Sequence, residues 1–337
     1  MNPKSYLLSI ESKGIKLGLE RTIEIMDTCG NPQKQIKAIQ VAGTNGKGST
    51  SAMMAKILEV AGYKVGLFTS PHLVHVNERI RINGIPITDD DIQKFVSLYK
   101  KKIESIGASF FESVTAMGFW YFHKENVDIA IMETGLGGRL DSVTICNPIL
   151  TVITTISLDH TEILGDNIKK IALEKAGIMK KSIPCITTNQ QPNAMKELIN
   201  HSKKVGCSLI KVEDQKINFN ISLSGKYQLD NAALAITALK NLKEFQVSDE
   251  NIEHGLTQTT WHARNQVIKQ NPLVIFDVGH NEMGILGIIN EISEIQKKSV
   301  LILSLQRRKK IKNIVKDIKS IFDIVICCET DNPRTMS

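Results

Sequence analysis

The sequence predicts an α/β protein with a mostly parallel sheet, followed by a second, smaller α/β domain. Three observations carry this. From about residue 36, short β-branched runs alternate with helix-length segments, a pattern that implies βαβ units and a sheet covered on both faces. A glycine-rich turn joins the first strand of that series to its first helix, the junction at which α/β sheets bind anions. Finally, the chain has 337 residues, 42% hydrophobic and 23% charged, enough for two domains with packed cores.

The elements follow in order. Residues 36–42 read as a strand, 49–61 as a helix with apolar residues at helical spacing, and 64–68 as the next strand. Residues 90–106 and 114–124 read as helices. Residues 127–132, 149–153 and 184–188 read as strands, with helices at 168–179 and 193–205. A break at Gln270-Asn271-Pro272 divides the chain into a domain at 1–270 and a smaller one at 271–337. Beyond the break lie three strand-like runs, 273–278, 299–305 and 323–328, separated by helical stretches.

Composition narrows the function. Forty-two Lys and Arg against thirty-five Asp and Glu leave a formal charge of +7. The excess is dispersed except at Arg307-Arg308-Lys309-Lys310 and a few Lys pairs, and no aromatic residues interleave with these clusters. That argues against a nucleic-acid partner and suits attraction of a polyanionic small molecule. The six cysteines form no Cys-x-x-Cys pair and several sit in apolar runs, as expected of a reducing, cytoplasmic compartment. No apolar run approaches the ~20 residues of a membrane span. A monomer is expected.

The segment richest in chemistry is Val41-Ala42-Gly43-Thr44-Asn45-Gly46-Lys47-Gly48-Ser49-Thr50. Glycines let backbone N–H groups converge on phosphate oxygens, and the helix N-terminus adds partial positive charge. Thr44, Asn45, Gly46, Lys47, Gly48 and Ser49 are the candidate nucleotide-binding residues. Lys47 would meet the β- and γ-phosphates, and Ser49 or Thr50 would place a hydroxyl near Mg²⁺. The plain alternative is a glycine-rich turn without a ligand, which a lysine framed by glycines at this junction disfavours. The generic phosphate-loop pattern nevertheless fails twice. Val41 stands where its first glycine belongs, and Gly48 where it has Ser or Thr.

The variant Gly-Thr-Asn-Gly-Lys-Gly-Ser resembles that of the Mur ligase superfamily, and within it the folylpolyglutamate synthase/dihydrofolate synthase family. Further segments match that family in order: residues 14–21, Thr69-Ser70-Pro71-His72, Asn77-Glu78-Arg79-Ile80, residues 133–141, Leu158-Asp159-His160-Thr161 and Lys175-Ala176-Gly177-Ile178. Gly225, Gln228, Asn231-Ala232, Asp277, His280 and Asn281 continue the series. The resemblance implies a P-loop ATPase domain followed by a smaller, truncated Rossmann-like domain. It implies an ATP-dependent ligase that forms an amide between L-glutamate and dihydropteroate or the γ-carboxylate of a folate, through an acyl phosphate. ATP and Mg²⁺ are the implied cofactors, with a monovalent cation as a further candidate.

The same resemblance assigns the site residues. Ser70, Glu133, His160 and Lys175 fall in the metal shells, with Lys175 carbamylated so that a cation becomes an anionic oxygen ligand. Lys47, Glu133, His160, Lys175 and His280 form the catalytic set, His280 orienting glutamate. Arg264 and Asp277 contact the nucleotide. Phe111, Glu112, Leu140, Asp141 and Ser142, with Phe110, align with segments that contact the pterin-bearing substrate. Each has an ordinary alternative: a strand-end carboxylate for Glu133, a turn hydroxyl or helix cap for Ser70, a structural histidine for His160, a solvated lysine for Lys175, core packing for Phe110 and Phe111, a surface ion pair for Arg264.

Departures cluster after residue 260. His262, Ala263 and Gln266 replace a Pro, a Gly and a Glu of the family pattern. Arg308-Lys309-Lys310 stands for an Asp-Lys-Asp element and reverses two charges. Asn332-Pro333-Arg334 resembles the next landmark, beyond which the family's remaining strands and helices have no counterpart. Earlier, the Asp-Ala-Thr-Asn of the family reads Asp141-Ser142-Val143-Thr144. Two alternatives therefore stand beside the ligase: an ATP-binding pseudoenzyme with impaired ligation, and another Mur-type amino acid ligase.

Overall fold

A computed structural model describes residues 2–11, 14, 16–213, 218–294, 298–306, 309, 311–331 and 335–336. Ile15 of the N-terminal signature, Arg307, Arg308 and Lys310 of the basic cluster, and Asn332-Pro333-Arg334 lie outside these residues. The described chain forms two compact units, one of residues 1–220 and 231–259, the other of 221–230 and 260–337.

The larger unit is built on one eight-stranded sheet. Its strands are β1 (Ala38–Ala42), β2 (Val65–Phe68), β3 (Ile80–Ile82), β4 (Ile85–Pro86), β5 (Ile129–Glu133), β6 (Pro148–Ile153), β7 (Cys185–Thr187) and β8 (Leu209–Lys211). They lie in the order β4-β3-β2-β5-β1-β6-β7-β8. All neighbours from β2 to β8 across this order are parallel, and β3 and β4 add an antiparallel edge. β1 is central, every residue of it buried, because apolar crossover helices cover both faces. On one face, Phe68, Phe119 and Phe122 join a core with Leu7, Ile25 and Phe95. On the other, Ile153 packs with Ile171, Ala194 and Leu198.

β5 and β6 fall on opposite sides of β1, so the carboxyl ends of β1, β5 and β6 open a crevice, the place where open α/β sheets bind ligands. The elements follow the sequence pattern closely, with two instructive shifts. The first crossover helix starts at Lys47, not at residue 49, because Gly46 in a left-handed conformation serves as its N-cap. The helix expected at 114 starts at Phe110, because Ser109 and Glu112 form a capping box there.

The smaller unit differs from expectation in two respects. Residues 266–270 form a strand, β9 (Gln266–Gln270), paired antiparallel with β10 (Leu273–Phe276). A boundary at 270/271 would cut this hairpin, and the compact units divide between Thr259 and Thr260 instead. The three strand-like runs also do not share a sheet. β11 (Val300–Leu303) and β12 (Ile324–Cys327) pair parallel with each other alone among the described strands. Helices Glu282–Ile292 and Val315–Ile321 give this pair a small core of Ile285, Ile289, Leu305, Ile314, Ile318 and Phe322.

Candidate active site

The site at the crevice begins with residues 43–46, between β1 and the helix Lys47–Val60. Glycine is required at two of these positions. At Gly43 (φ 149°) a Cβ would lie 1.8 Å from Thr154 Oγ1, and at Gly46 (φ 89°) 2.2 Å from Asn231 Oδ1. Thr44 N donates to Thr155 O at 2.8 Å and Asn45 N to the same carbonyl at 3.2 Å. The Thr44 hydroxyl donates to Ser157 O at 3.1 Å, and Asn45 Nδ2 to Ser157 Oγ at 3.2 Å. The loop is thus laid against the segment that follows β6. Lys47 Nζ curls over it, donating to Gly43 O and Thr44 O at 3.2 Å each. Gly48 is half-buried on the first helical turn, and Ser49 is buried.

Lys175 is not the solvated helix lysine of the ordinary reading. It is buried on the helix Ile168–Ala176 and donates from Nζ to Gly43 O at 2.7 Å. Burial, reinforced by the charge of Lys47, lowers its pKa to about 7, although Asp159 and Asp141 act in the opposite direction. Four charged groups therefore converge on the phosphate loop: Lys47, Lys175, Asp141 and Asp159.

Asp141 is buried, and burial raises its pKa to about 6 against the pull of the Leu136, Val143 and Gly135 amides and Lys47. Its carboxylate accepts from Leu136 N at 2.8 Å and Val143 N at 3.0 Å. Asp141 thereby folds the glycine loop that follows β5. Arg139 N seals that loop to Glu174 O at 2.8 Å. Leu140 is half-buried beside it, while Ser142 is buried and accepts from Thr22 Oγ1 at 3.1 Å.

Glu133 ends β5 and is buried; its Oε2 accepts the Ser70 amide at 3.2 Å. Ser70 follows β2, two strands away from β1 in the sheet. His160 adopts a left-handed conformation (φ 49°) at the start of the helix Thr161–Leu164, its amide bonded to Asp159 Oδ1 at 2.8 Å. Arg79 O accepts the Thr69 amide at 2.9 Å; the Arg79 Nε is 2.7 Å from His72 Nδ1 and its guanidinium 5.0 Å from the Phe110 ring centre. Burial lowers its pKa to about 10, opposed by Glu11, Glu133 and Glu78. Among the described residues no three His, Cys, Asp or Glu side chains cluster tightly enough to hold a metal. The donors present, the Glu133 carboxylate, the Ser70 hydroxyl and the His160 imidazole, are of the kinds that suit Mg²⁺, which keeps several waters and takes few protein groups.

The expected substrate residues divide. Phe111 is half-buried and rises over Gly135, where a Cβ would sit 2.5 Å from its ring. It lies edge-on to Phe68 at 6.0 Å between centres. Phe110 is core. Glu112 is buried and fully occupied: Arg21 Nε donates to its two oxygens at 2.9 and 3.2 Å, and Ser109 N donates at 2.6 Å.

Arg264, Asp277 and His280 belong to the smaller unit. Asp277 accepts from Asn265 N at 2.6 Å and from Gly279 N, and bonds the Tyr227 hydroxyl, whose pKa burial pushes up. His280 is exposed, its Nδ1 3.1 Å from Val278 O. Sequence reasoning passed over Thr154, Ser157 and Gln190, which frame the phosphate loop. Loop Thr, Ser and Gln residues carry no spacing signal of their own.

Comparison with known proteins identifies the family. The Mur ligase middle domain model matches residues 41–211. The chain is 36% identical to the dihydrofolate synthase/folylpolyglutamate synthase of Bacillus subtilis (strain 168), over 95% of this chain and 83% of that protein. It is 31% identical to the Escherichia coli (strain K12) counterpart, over 98% and 82%. The solved Escherichia coli FolC complex with DHPP and ADP aligns at TM-score 0.90 and 31% identity, covering 100% of this chain and 86% of that one. An FPGS–AMPPCP–folate complex aligns at 0.90 and 30%, covering 97% and 89%. The chain belongs to the folylpolyglutamate synthase/dihydrofolate synthase family and is a ligase.

Proposed function

We propose that this ligase uses ATP to join L-glutamate to dihydropteroate, to a folate, or to both. The observation that carries the mechanism is Lys175: a buried amine, held against the phosphate-loop carbonyl of Gly43, with its charged form disfavoured. A neutral amine is the form that captures CO₂, so the site suits carbamylation, which would turn Lys175 into an anionic oxygen donor beside the phosphates.

In this reading, Thr44, Asn45, Gly46, Gly48 and Ser49 present amides and hydroxyls to the phosphates, and Lys47 swings from its own loop carbonyls onto the γ-phosphate. Ser70, Glu133, His160 and carbamylated Lys175 would hold Mg²⁺, which neutralises the anions that must approach one another. Phe111 offers an aromatic face to a pterin ring, beside Leu140 and the loop that Asp141 and Ser142 shape. Glu112, saturated by Arg21 and Ser109, supports that wall instead of touching substrate. The substrate carboxylate takes up the γ-phosphoryl group to give an acyl phosphate, and the glutamate amine then displaces phosphate. Arg264 and Asp277 are assigned to the nucleotide and His280 to the incoming glutamate. The free thiols among the described cysteines suit a cytoplasmic enzyme, acting as a monomer.

The test is ADP release with ATP and Mg²⁺, with and without L-glutamate, for dihydropteroate and for a reduced folate. Glutamate-dependent release with either acceptor is expected. AMPPCP binding without glutamate-dependent release would replace the ligase with the pseudoenzyme reading.

A further inference from the structure

We propose that Gln190, in the loop after β7, is a positioning residue for the phosphate loop; the proposal rests on the reading of residues 43–49 as the ATP cradle. Gln190 is only 8% exposed, and both ends of its carboxamide are hydrogen-bonded. Oε1 accepts from Ile156 N at 2.9 Å, and Nε2 donates to Thr154 O at 2.9 Å and to Thr187 Oγ1 at 3.1 Å. Thr187 Oγ1 in turn donates to Ile153 O at 3.0 Å.

The two main-chain groups that Gln190 holds flank Thr155. Thr155 O is the acceptor for the amides of both Thr44 and Asn45. Two residues on, Ser157 closes the attachment: its amide donates to Thr44 Oγ1 at 3.1 Å, its carbonyl accepts from the same hydroxyl, and its Oγ accepts from Asn45. Thr154, gripped directly by Gln190, puts its own Oγ1 into the space beside Gly43. The phosphate loop therefore takes its shape from the strap of residues 154–157.

The ladder explains why a side chain is needed. β7 pairs with β6 only as far as Thr187 against Ile153. Beyond that point β7 no longer pairs with the strap, and the Gln190 side chain, not a strand, meets Thr154 O and Ile156 N. The Gln190 carboxamide supplies one donor and one acceptor to these two main-chain groups. Without it, a buried N–H and C=O lose their partners, and the strap is free to shift. Shifts of about 1 Å at a catalytic cradle are costly in rate and in ligand affinity.

Two variants test this. Gln190→Met keeps length and bulk and removes all three bonds; Gln190→Glu keeps the acceptor for Ile156 N–H and loses the donor to Thr154. Binding of AMPPCP with Mg²⁺ is measured by titration calorimetry, thermal midpoints are followed alongside, and KM is determined separately for ATP, the pteroyl substrate and glutamate. Expected is roughly tenfold or greater weakening of AMPPCP binding and a matching rise in KM for ATP in Gln190→Met, a smaller change in Gln190→Glu, and KM values for the other two substrates within about twofold. Where Gln190→Met does not fold, Gln190→Glu alone decides. AMPPCP affinity within about twofold of wild type in a folded variant, or equal loss for all three substrates that tracks the thermal midpoint, overturns the proposal. A wild-type chain that binds no AMPPCP overturns the phosphate-loop reading itself.

Discussion

The two units of this chain handle their strands in opposite ways. In the larger unit, β1 and β5 are buried along their whole length, and the residues that follow each strand converge on one crevice. In the smaller unit, β12 is exposed along its whole length, with Ile324 54% and Ile326 45% exposed, and Ile302 of β11 reaches 69%. The apolar sequence is similar in both. What differs is how many helices and neighbouring strands cover it, so rigidity is concentrated where the phosphate loop sits.

That contrast can be broken by experiment. The largest effect is expected in the larger core: Phe122→Ala, at a fully buried ring, should cost roughly 3–5 kcal/mol by urea unfolding. Nearly as large, Lys47→Ala should lower kcat/KM for ATP by about 10²–10³-fold with little change in the unfolding midpoint, the signature of a lost electrostatic contact to phosphate. A stable variant with unchanged ATP kinetics would remove Lys47 from the mechanism.

Lys175 sharpens the comparison through pH. Its folded pKa of about 7 lies below the ordinary 10.5. The unfolded chain therefore binds more protons between pH 7 and 10.5, and stability from this group rises with pH across that window. Lys175→Met should flatten that rise in unfolding free energy and abolish activity. Depleting CO₂ should also lower wild-type activity, and added bicarbonate should restore it.

Arg21→Ala separates a structural from a substrate role for the wall behind Phe111. It strips Glu112, whose side chain is 1% exposed, of its cation. About 2–3 kcal/mol of stability should be lost, because a buried carboxylate is left with only a backbone donor. A rise in folate KM without loss of stability would instead return Glu112 to the substrate set. The smallest change belongs to the smaller unit: Ile326→Thr should alter unfolding by less than about 0.5 kcal/mol. A cost comparable to that of Phe122→Ala would contradict the contrast.

Much of the larger unit was legible in the sequence. Strand runs and the glycine-rich turn are local signals, and βαβ alternation leaves few ways to arrange them. The phosphate loop, Glu133 at a strand end and Asp159-His160 were readable for the same reason. The hairpin of β9 and β10 was not, because residues 266–270 are half polar and their pairing partner is set by contact, not by pattern. The ion pair of Glu112 with Arg21 was not legible because its partners lie far apart in sequence.

What the sequence alone determined is the family, the order of the elements and the glycine-framed lysine loop between the first strand and its helix. These follow from residue types at short spacings, where glycine freedom, helix capping and strand alternation act locally. Tertiary structure decided the rest. It made Lys175 a buried amine held against Gly43 instead of a solvated cation, turned Asp141 into the clasp of its own loop, and set Gln190 behind Thr154 and Ile156. Burial and long-range hydrogen bonding depend on which segments meet, and no spacing along one chain records that.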